Sequence, residues 1–239
     1  MAAGRIGELV AFLEAAGLAP SAVTKVMHAY PQVLALSVEQ RLKPTVGYLR
    51  SELQLGPAEV CKLIVRAPAL LGLHPKRTLR PKLHFLVDTV GLEPTVLRQV
   101  LLRAPNLLYL SVKGDDAKLK RNLAFLLTDV AIPHERLPRV IEKAPSLLSM
   151  SPANNMQPIL AFLSDPAGLG IDRARLGSII AAQPQILMSS LDDKIKPCAD
   201  FLCLRLGLSP QQAAKVVQVI DRVESTPNPI TSILNVFHL

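Results

Sequence analysis

The amino-acid sequence predicts an all-α protein built as a curved α-solenoid of about five repeats. A short stretch of the form Xaa-Pro-Xaa-Leu-Leu, or a close variant, recurs with its prolines 37, 37, 40 and 39 residues apart, and a fixed period of this size is typical of stacked structural repeats. Apolar residues make up 49% of the chain and aromatic residues only 4%, so small aliphatic side chains must fill the core, as between stacked helices. The repeat prolines are Pro31, Pro68, Pro105, Pro145 and Pro184.

The second helix of each repeat has the clearest boundaries. Several of these helices open with a proline, which the first helical turn tolerates because its N–H would be unpaired there. Asp172 and Ser209 are candidate N-caps for the last two. Each helix should end at the next Xaa-Pro, since proline restricts its predecessor and cannot continue the hydrogen-bond ladder. The predicted second helices are residues 20–29, 57–66, 94–103, 133–143, 172–182 and 210–222.

A short turn and a first helix should precede each second helix. The Pro-Xaa-Leu-Leu stretch predicts one turn of 3₁₀ helix that buries both apolar residues between neighbouring repeats. A second proline follows the first by thirteen residues in four copies, so the first helix should bend there or become regular only about ten residues after the repeat proline. Candidate caps of the first helices are Ser37, His74, Ser111, Ser151 and Ser190, and candidate core aromatics are Phe85, Phe125, Phe162 and Phe201.

The third copy departs from this pattern. It carries three extra residues within 113–116 and has Arg121 where the second proline should stand.

The repeats predict one elongated domain over residues 1–222, followed by a linker and capping segment over 223–239. Met1 to Gly17 already matches half a repeat, so no targeting peptide is expected in this sequence. No apolar run approaches the length of about 18 residues that spans a bilayer, and no membrane association is expected. The three cysteines Cys61, Cys198 and Cys203 should be free thiols, because their number is odd and they form no CxxC pair.

Catalytic motifs are absent from the sequence. The five histidines are scattered, and there is no HExxH, GxSxG or phosphate-binding glycine loop. We therefore expect no enzymatic activity, no cofactor and no metal site.

The strongest functional signal is the distribution of positive charge. The chain has a net charge of +8, and residues 60–121 hold twelve Lys/Arg against four Asp/Glu, while the segments on either side are balanced. Cations recur ten and twelve residues after the repeat proline, so in a solenoid they should form a stripe suited to a phosphate backbone. The alternative is that they serve solubility alone. The predicted nucleic-acid-binding residues are Arg41, Lys43, Lys76, Arg77, Arg80, Lys82, Lys113, Lys118, Lys120, Arg121, Lys194 and Lys196.

The choice of polymer follows from the aromatic residues. Proteins that hold single strands stack bases on aromatic rings, but here only Tyr30 and Tyr109 lie outside the expected core positions. We expect a monomer that binds a duplex through its backbone, with DNA favoured over structured RNA. Two rival interpretations remain open, an RNA-binding protein that uses the same surface and a protein-binding scaffold.

The combined pattern resembles the repeat of the mitochondrial transcription termination factor (mTERF) family, in particular its plant and algal members. The elements that carry the resemblance are Pro-Xaa-Leu-Leu, a serine, Leu-Xaa-Pro with Phe-Leu four residues on, and Gly-Leu before a second helix, over about residues 5–222. The resemblance implies a curved solenoid whose repeats hold two helices and a 3₁₀ turn. It also implies a mitochondrial or chloroplast protein that acts on nucleic acid in transcription termination or RNA processing.

Overall fold

The computed structural model describes residues 2–114, 117–166, 168–205, 207–208 and 212. This part of the chain is helical and contains no β-strand, as the sequence predicts. Internal contacts divide the chain into two units, residues 1–119 and 120–239. The predicted helix 210–222, its cap Ser209 and the segment 223–239 lie outside the described residues.

In the first unit, α-helices alternate with 3₁₀ turns. The helices are α1 (Ala2–Ala15), α2 (Pro20–Ala29), α3 (Lys43–Glu52), α4 (Pro57–Arg66), α5 (Arg80–His84) and α6 (Pro94–Arg103), and α7 (Lys118–Thr128) begins at the unit's end. The 3₁₀ turns are Pro31–Ala35, Pro68–Gly72 and Pro105–Tyr109.

The second unit repeats this arrangement. Its further helices are α8 (Leu137–Lys143), α9 (Gln157–Ser164), α10 (Arg173–Ala182) and α11 (Lys196–Asp200). Its 3₁₀ turns are His134–Arg136, Pro145–Leu148 and Pro184–Met188.

The predicted second helices are confirmed within the described residues. Helices α2, α4 and α6 begin and end at the predicted residues, with proline at the first helical position. The fourth starts as the 3₁₀ turn His134–Arg136 and becomes α8. Asp172 caps α10 by accepting a hydrogen bond from the Ala174 N–H at 3.1 Å.

The 3₁₀ turns bury their apolar pairs as expected in four of the five copies. Both members of the pair are buried in the turns that begin at Pro68, Pro105, Pro145 and Pro184. In the first turn Val33 is buried but Leu34 is 38% exposed. The turns thus supply much of the core between successive helices.

The second proline of the repeat is accommodated by a wide π turn. Residues Val38–Leu42, Pro75–Leu79, Pro152–Met156 and Leu191–Ile195 form such turns, and in each case the α-helix begins at the next residue. Proline has no N–H to donate to the carbonyl four residues before it, and the wider turn just ahead shifts the bonding by one residue, as in the Leu42 N–H to Ser37 carbonyl bond of 3.1 Å. The third copy, with Arg121 in place of proline, forms the uninterrupted helix α7.

The predicted caps hold these turns. Ser37, Ser151 and Ser190 each accept a hydrogen bond from the backbone N–H three residues on, and the Nδ1 of His74 does the same. In the third copy Ser111 accepts instead from the Lys118 N–H at 2.9 Å, beyond the inserted residues.

A buried polar side chain joins consecutive repeats at one position that sequence reasoning missed. Thr45 donates to the Leu73 carbonyl, Lys82 to the Leu108 carbonyl, and Asn122 to the carbonyls of Leu148 and Met150. These three are the buried polar or charged residues of the described chain. Each occupies the position after the second proline, or after Arg121 in the third copy, and satisfies carbonyls around the next 3₁₀ turn.

We expect Asn122→Leu to lower the free energy of unfolding by about 1–2 kcal/mol, because it leaves two buried carbonyls without a donor. The loss is limited because the Oδ1 of Asn122 is itself buried without a partner. Denaturant unfolding measures the change, and Ile159→Leu, an apolar exchange at the equivalent position of the fourth repeat, is the control. Equal stability of the wild type and Asn122→Leu would show that the bonds contribute nothing.

Candidate nucleic-acid interface

The predicted basic residues cluster at the N-terminal ends of the first helices. Arg41 and Lys194 lie in π turns, and Lys43, Arg80 and Lys196 are the first residues of α3, α5 and α11. Cations at this end oppose the helix dipole, which favours negative charge there. Their recurrence therefore does not stabilise their own helices, whereas an anion at this end would interact favourably with both dipole and side chains.

In the first and fifth repeats a carboxylate on the preceding turn neutralises part of this charge. Lys43 pairs with Glu39, and Lys196 pairs with Asp192 at 2.6 Å. All four side chains are largely exposed, so each pair contributes little to stability. These pairs reduce the net positive charge of the two outer copies.

The second repeat lacks this carboxylate. Lys76 stands where Glu39 and Asp192 stand in their repeats, four residues before Arg80. Lys76, Arg77 and Arg80 are exposed and form no ion pair within the described residues. The positive charge of this copy is therefore left for an external anion.

Arg80 does have one neighbour on its own helix. Its Nε lies 3.4 Å from the Nε2 of His84, and the Nδ1 of His84 lies 3.3 Å from Asp88. The chain of contacts orients the arginine through Nε and leaves its two terminal nitrogens free to donate.

The third repeat adds four further cations. Lys113, Lys120 and Arg121 are exposed and Lys118 is half-buried, and none forms an ion pair in the part of the chain that the structure describes. The cations without such a pair in the second and third repeats account for most of the charge surplus that the sequence shows over 60–121.

Lys82 is the exception, and its prediction as a nucleic-acid contact needs correction. Its residue is only 6% exposed, and its ammonium donates to the Leu108 carbonyl. A side chain held inside the protein in this way does not reach a phosphate. Lys82 belongs to the buried polar position described above.

The burial of Lys82 predicts a pH effect on stability. Burial lowers the pKa of Lys82 below its ordinary value of 10.5, so between that lowered value and 10.5 the unfolded chain binds more protons than the folded chain, and stability rises with pH. The wild type should therefore gain stability relative to Lys82→Met as the pH approaches 10.5, measured by denaturant unfolding of both proteins. A difference that does not change with pH would contradict this.

A cleft of about 380 Å³ opens beside these cations in the first unit. It is lined by basic residues of three repeats, Arg41, Arg77 and Lys113, together with Gly72, Leu73, His74 and Thr78. Among the described residues, no carboxylate lines it. In this cleft, cations from three repeats therefore line one cavity.

Two cations near the ends of second helices have a structural role instead. Arg66 donates to the Leu102 carbonyl at 2.7 Å, and Lys143 donates to the Ala182 carbonyl at 2.8 Å. Each bond joins the end of one second helix to the end of the next. These cations satisfy carbonyls that a helix C-terminus leaves unpaired.

The tyrosines lie against the second 3₁₀ turn. The hydroxyl of Tyr30 occupies the space into which a side chain at Gly72 would project. Tyr109 is 41% exposed, yet its hydroxyl lies by the backbone of Ala69 and Leu70, and burial raises its pKa to about 12. The hydroxyl ends of both rings thus lie against this turn, which reduces the availability of the rings for base stacking.

The four repeat phenylalanines, which the sequence predicts as core residues, differ in burial. Phe85 and Phe125 are buried, whereas the other two repeat phenylalanines are only half-buried.

The three cysteines are free and half-buried, and burial raises the pKa of Cys198 to about 11. Among the described residues no helix is long and apolar enough to cross a membrane, and no group of His, Cys, Asp and Glu could hold a metal ion.

Comparison with protein families decides the identity of the repeat. The family model mTERF matches residues 10–223, which is most of the chain. The chain belongs to the mTERF family. Members of this family are generally organellar, non-enzymatic proteins that bind nucleic acid and regulate gene expression. A search of curated proteins found no match.

Proposed function

We propose that this mTERF protein binds duplex DNA as a monomer, without catalysis, and regulates organellar transcription, with termination as its role. The observation that carries the proposal is the group of cations at the starts of the first helices in the second and third repeats. Except for the buried Lys82 and the half-buried Lys118, these side chains are exposed. They have no ion pair within the described residues and oppose their own helix dipole. When these cations neutralise phosphates of a nucleic acid, counterions are released, and this release contributes favourable free energy of binding.

The duplex is favoured over a single strand because the described aromatic residues serve packing. Base stacking on exposed rings is the usual source of single-strand affinity, and here Tyr30 and Tyr109 lie with their hydroxyl ends against the second 3₁₀ turn. Cations on helix ends instead contact phosphates, which position a protein on a duplex and carry no sequence information directly. Structured RNA presents phosphates too, so an RNA-maturation role is the alternative outcome of the test.

The test is a competition titration at fixed salt. A labelled duplex DNA of random sequence is bound first, and unlabelled duplex DNA, structured RNA or single-stranded RNA is added as competitor. The proposal expects duplex DNA to compete best and single-stranded RNA worst. Stronger competition by structured RNA would assign the interface to RNA, and no binding to any polymer would favour a protein-binding scaffold.

A further inference from the structure

The cleft of the first unit differs from the rest of the basic surface in how its cations are arranged. Elsewhere each repeat presents its basic residues separately along a helix end. In the cleft, Arg41 of the first repeat, Arg77 of the second and Lys113 of the third line one cavity of about 380 Å³. Three cations around one cavity, with no carboxylate among the described lining residues, suit a single anion with several oxygens.

His74 gives the cleft a further donor that no other described repeat has. At the equivalent position the other copies carry Ser37, Ser111, Ser151 and Ser190, and each serine serves as a cap. The Nδ1 of His74 performs this capping function by accepting from the Arg77 N–H at 3.3 Å. An accepting Nδ1 is unprotonated, so the ring proton is on Nε2. The imidazole therefore both caps the helix and offers an N–H donor.

The hydroxyl of Thr78, which also lines the cleft, adds a second neutral donor. Two guanidinium groups supply forked N–H donors that match phosphate oxygens in pairs. The volume lies at the low end of the range for small-molecule sites, about 300–1,000 Å³. It suits a phosphate with the sugar attached to it and is too small for a duplex.

We propose that this cleft is a binding site for one phosphate group of a nucleic-acid strand, held by Arg41, Arg77 and Lys113 and by the Nε2–H of His74. The assignment to a strand rests on the proposed function, since it takes the phosphate to be part of the bound nucleic acid. The site anchors the strand at one phosphate, whereas the remaining cations each meet a different one. The phosphate is either an internal phosphodiester or a terminal monoester, and the two are separated by the test.

The first measurement uses inorganic phosphate alone. Its addition to the full chain should shift the imidazole NMR signals of His74 in a saturable way. Arg77→Gln and Arg41→Gln should each weaken this binding about tenfold, because each removes a charge-assisted hydrogen bond. Lys62→Gln, which removes an exposed cation of α4 in the same unit that does not line the cleft, is the matched control and should change affinity by less than about twofold, since an exposed charge that does not contact the anion is screened by salt.

His74→Ser tests the imidazole without removing the cap. The variant installs the residue that the other repeats carry, so the thermal melting temperature should stay near that of the wild type. Its phosphate affinity, followed by isothermal titration calorimetry, should fall several-fold because the Nε2–H donor is lost. Unchanged affinity in His74→Ser at normal stability would remove the histidine from the site.

The second measurement distinguishes the sources of the phosphate. A closed hairpin duplex, a 5′-phosphorylated duplex and a 5′-hydroxyl duplex are titrated against the wild type, Arg77→Gln and Lys62→Gln. An internal phosphodiester predicts the same loss for Arg77→Gln on all three ligands, and a terminal phosphate predicts a larger loss on the phosphorylated end.

Each failure has a distinct signature. No saturable effect of phosphate on His74, or equal losses of phosphate affinity for Arg77→Gln and Lys62→Gln, overturns the cleft even when the wild type binds duplex DNA well. Phosphate binding without duplex binding instead overturns the proposed function.

Discussion

Replacing Lys76, Arg80, Lys120 and Arg121 together by glutamine should lower the affinity for duplex DNA by about three and a half orders of magnitude at about 0.1 M salt. For each phosphate that is neutralised, the association constant scales with the salt concentration to the power of about −0.9. One contact therefore contributes roughly eightfold in affinity at this salt. Four independent contacts multiply to this loss. Glutamine keeps a polar side chain of similar length, so the helices should remain folded. Fluorescence anisotropy with a labelled duplex measures the change.

The charge-matched control is a variant with Lys25, Lys62, Arg139 and Arg175 replaced by glutamine. These four exposed cations lie on second helices, in α2, α4, α8 and α10, and their removal changes the net charge by the same amount. The account expects a much smaller loss of affinity for this variant. Equal losses in the two variants would mean that the positive charge acts only as a diffuse field.

Gly177→Ala should destabilise the protein by about 2 kcal/mol or more, through overpacking against backbone. A methyl group at Gly177 would lie 2.2 Å from the carbonyl oxygen of Ala131 and 2.9 Å from that of Val130. These atoms are backbone and cannot turn aside as a flexible side chain could, so α10 must shift away from residues 130–131. The shift outweighs the gain of about 1 kcal/mol in helix propensity from glycine to alanine. Thermal unfolding should show a melting temperature lower by about 4–8 °C.

Gly47→Ala is the control for this substitution. Gly47 is exposed within α3, and a methyl group there meets nothing within 4 Å. Only the propensity effect remains, so this variant should be more stable by about 0.5–1 kcal/mol. A Gly177→Ala protein as stable as Gly47→Ala would show that the close approach of α10 to residues 130–131 is wrong.

Sequence reasoning predicted the second helices and the 3₁₀ turns because proline determines their ends. A proline at a helix start and an Xaa-Pro at its end act locally, through a missing N–H and a steric restriction. These effects hold whatever the helix packs against. The bounds of α2, α4 and α6 consequently follow from the residues alone.

The start of the first helices could not be decided in the same way. A proline near the start of a helix is compatible with a bend, a late start or a wider turn, and local preferences do not choose among them. The structure combines two of these, with a π turn at Val38–Leu42 and a regular helix from Lys43. The choice depends on keeping both the serine cap and the buried face, which are tertiary constraints.

The basic surface was predictable in outline, but its pairing was not. Charge counts locate the surplus in the second and third repeats, whereas the ion pair of Lys43 with Glu39 was not predicted from the sequence. Lys82 was predicted to be exposed because it is a lysine, whereas the side chains at its position in the repeat are buried. Comparison with Thr45 and Asn122 at that position could have signalled this, because neither is charged. The cleft around His74 depends on side chains from three repeats and required coordinates.

The most direct test of nucleic-acid binding by this surface is the salt dependence of wild-type affinity for a random-sequence duplex DNA. With about five phosphate contacts, the logarithm of the association constant should fall against the logarithm of salt with a slope of about −4.5. Between about 50 and 200 mM salt that slope corresponds to a loss of several hundredfold. Absence of binding at the low salt, or an affinity that changes less than about twofold over this range, would contradict the account.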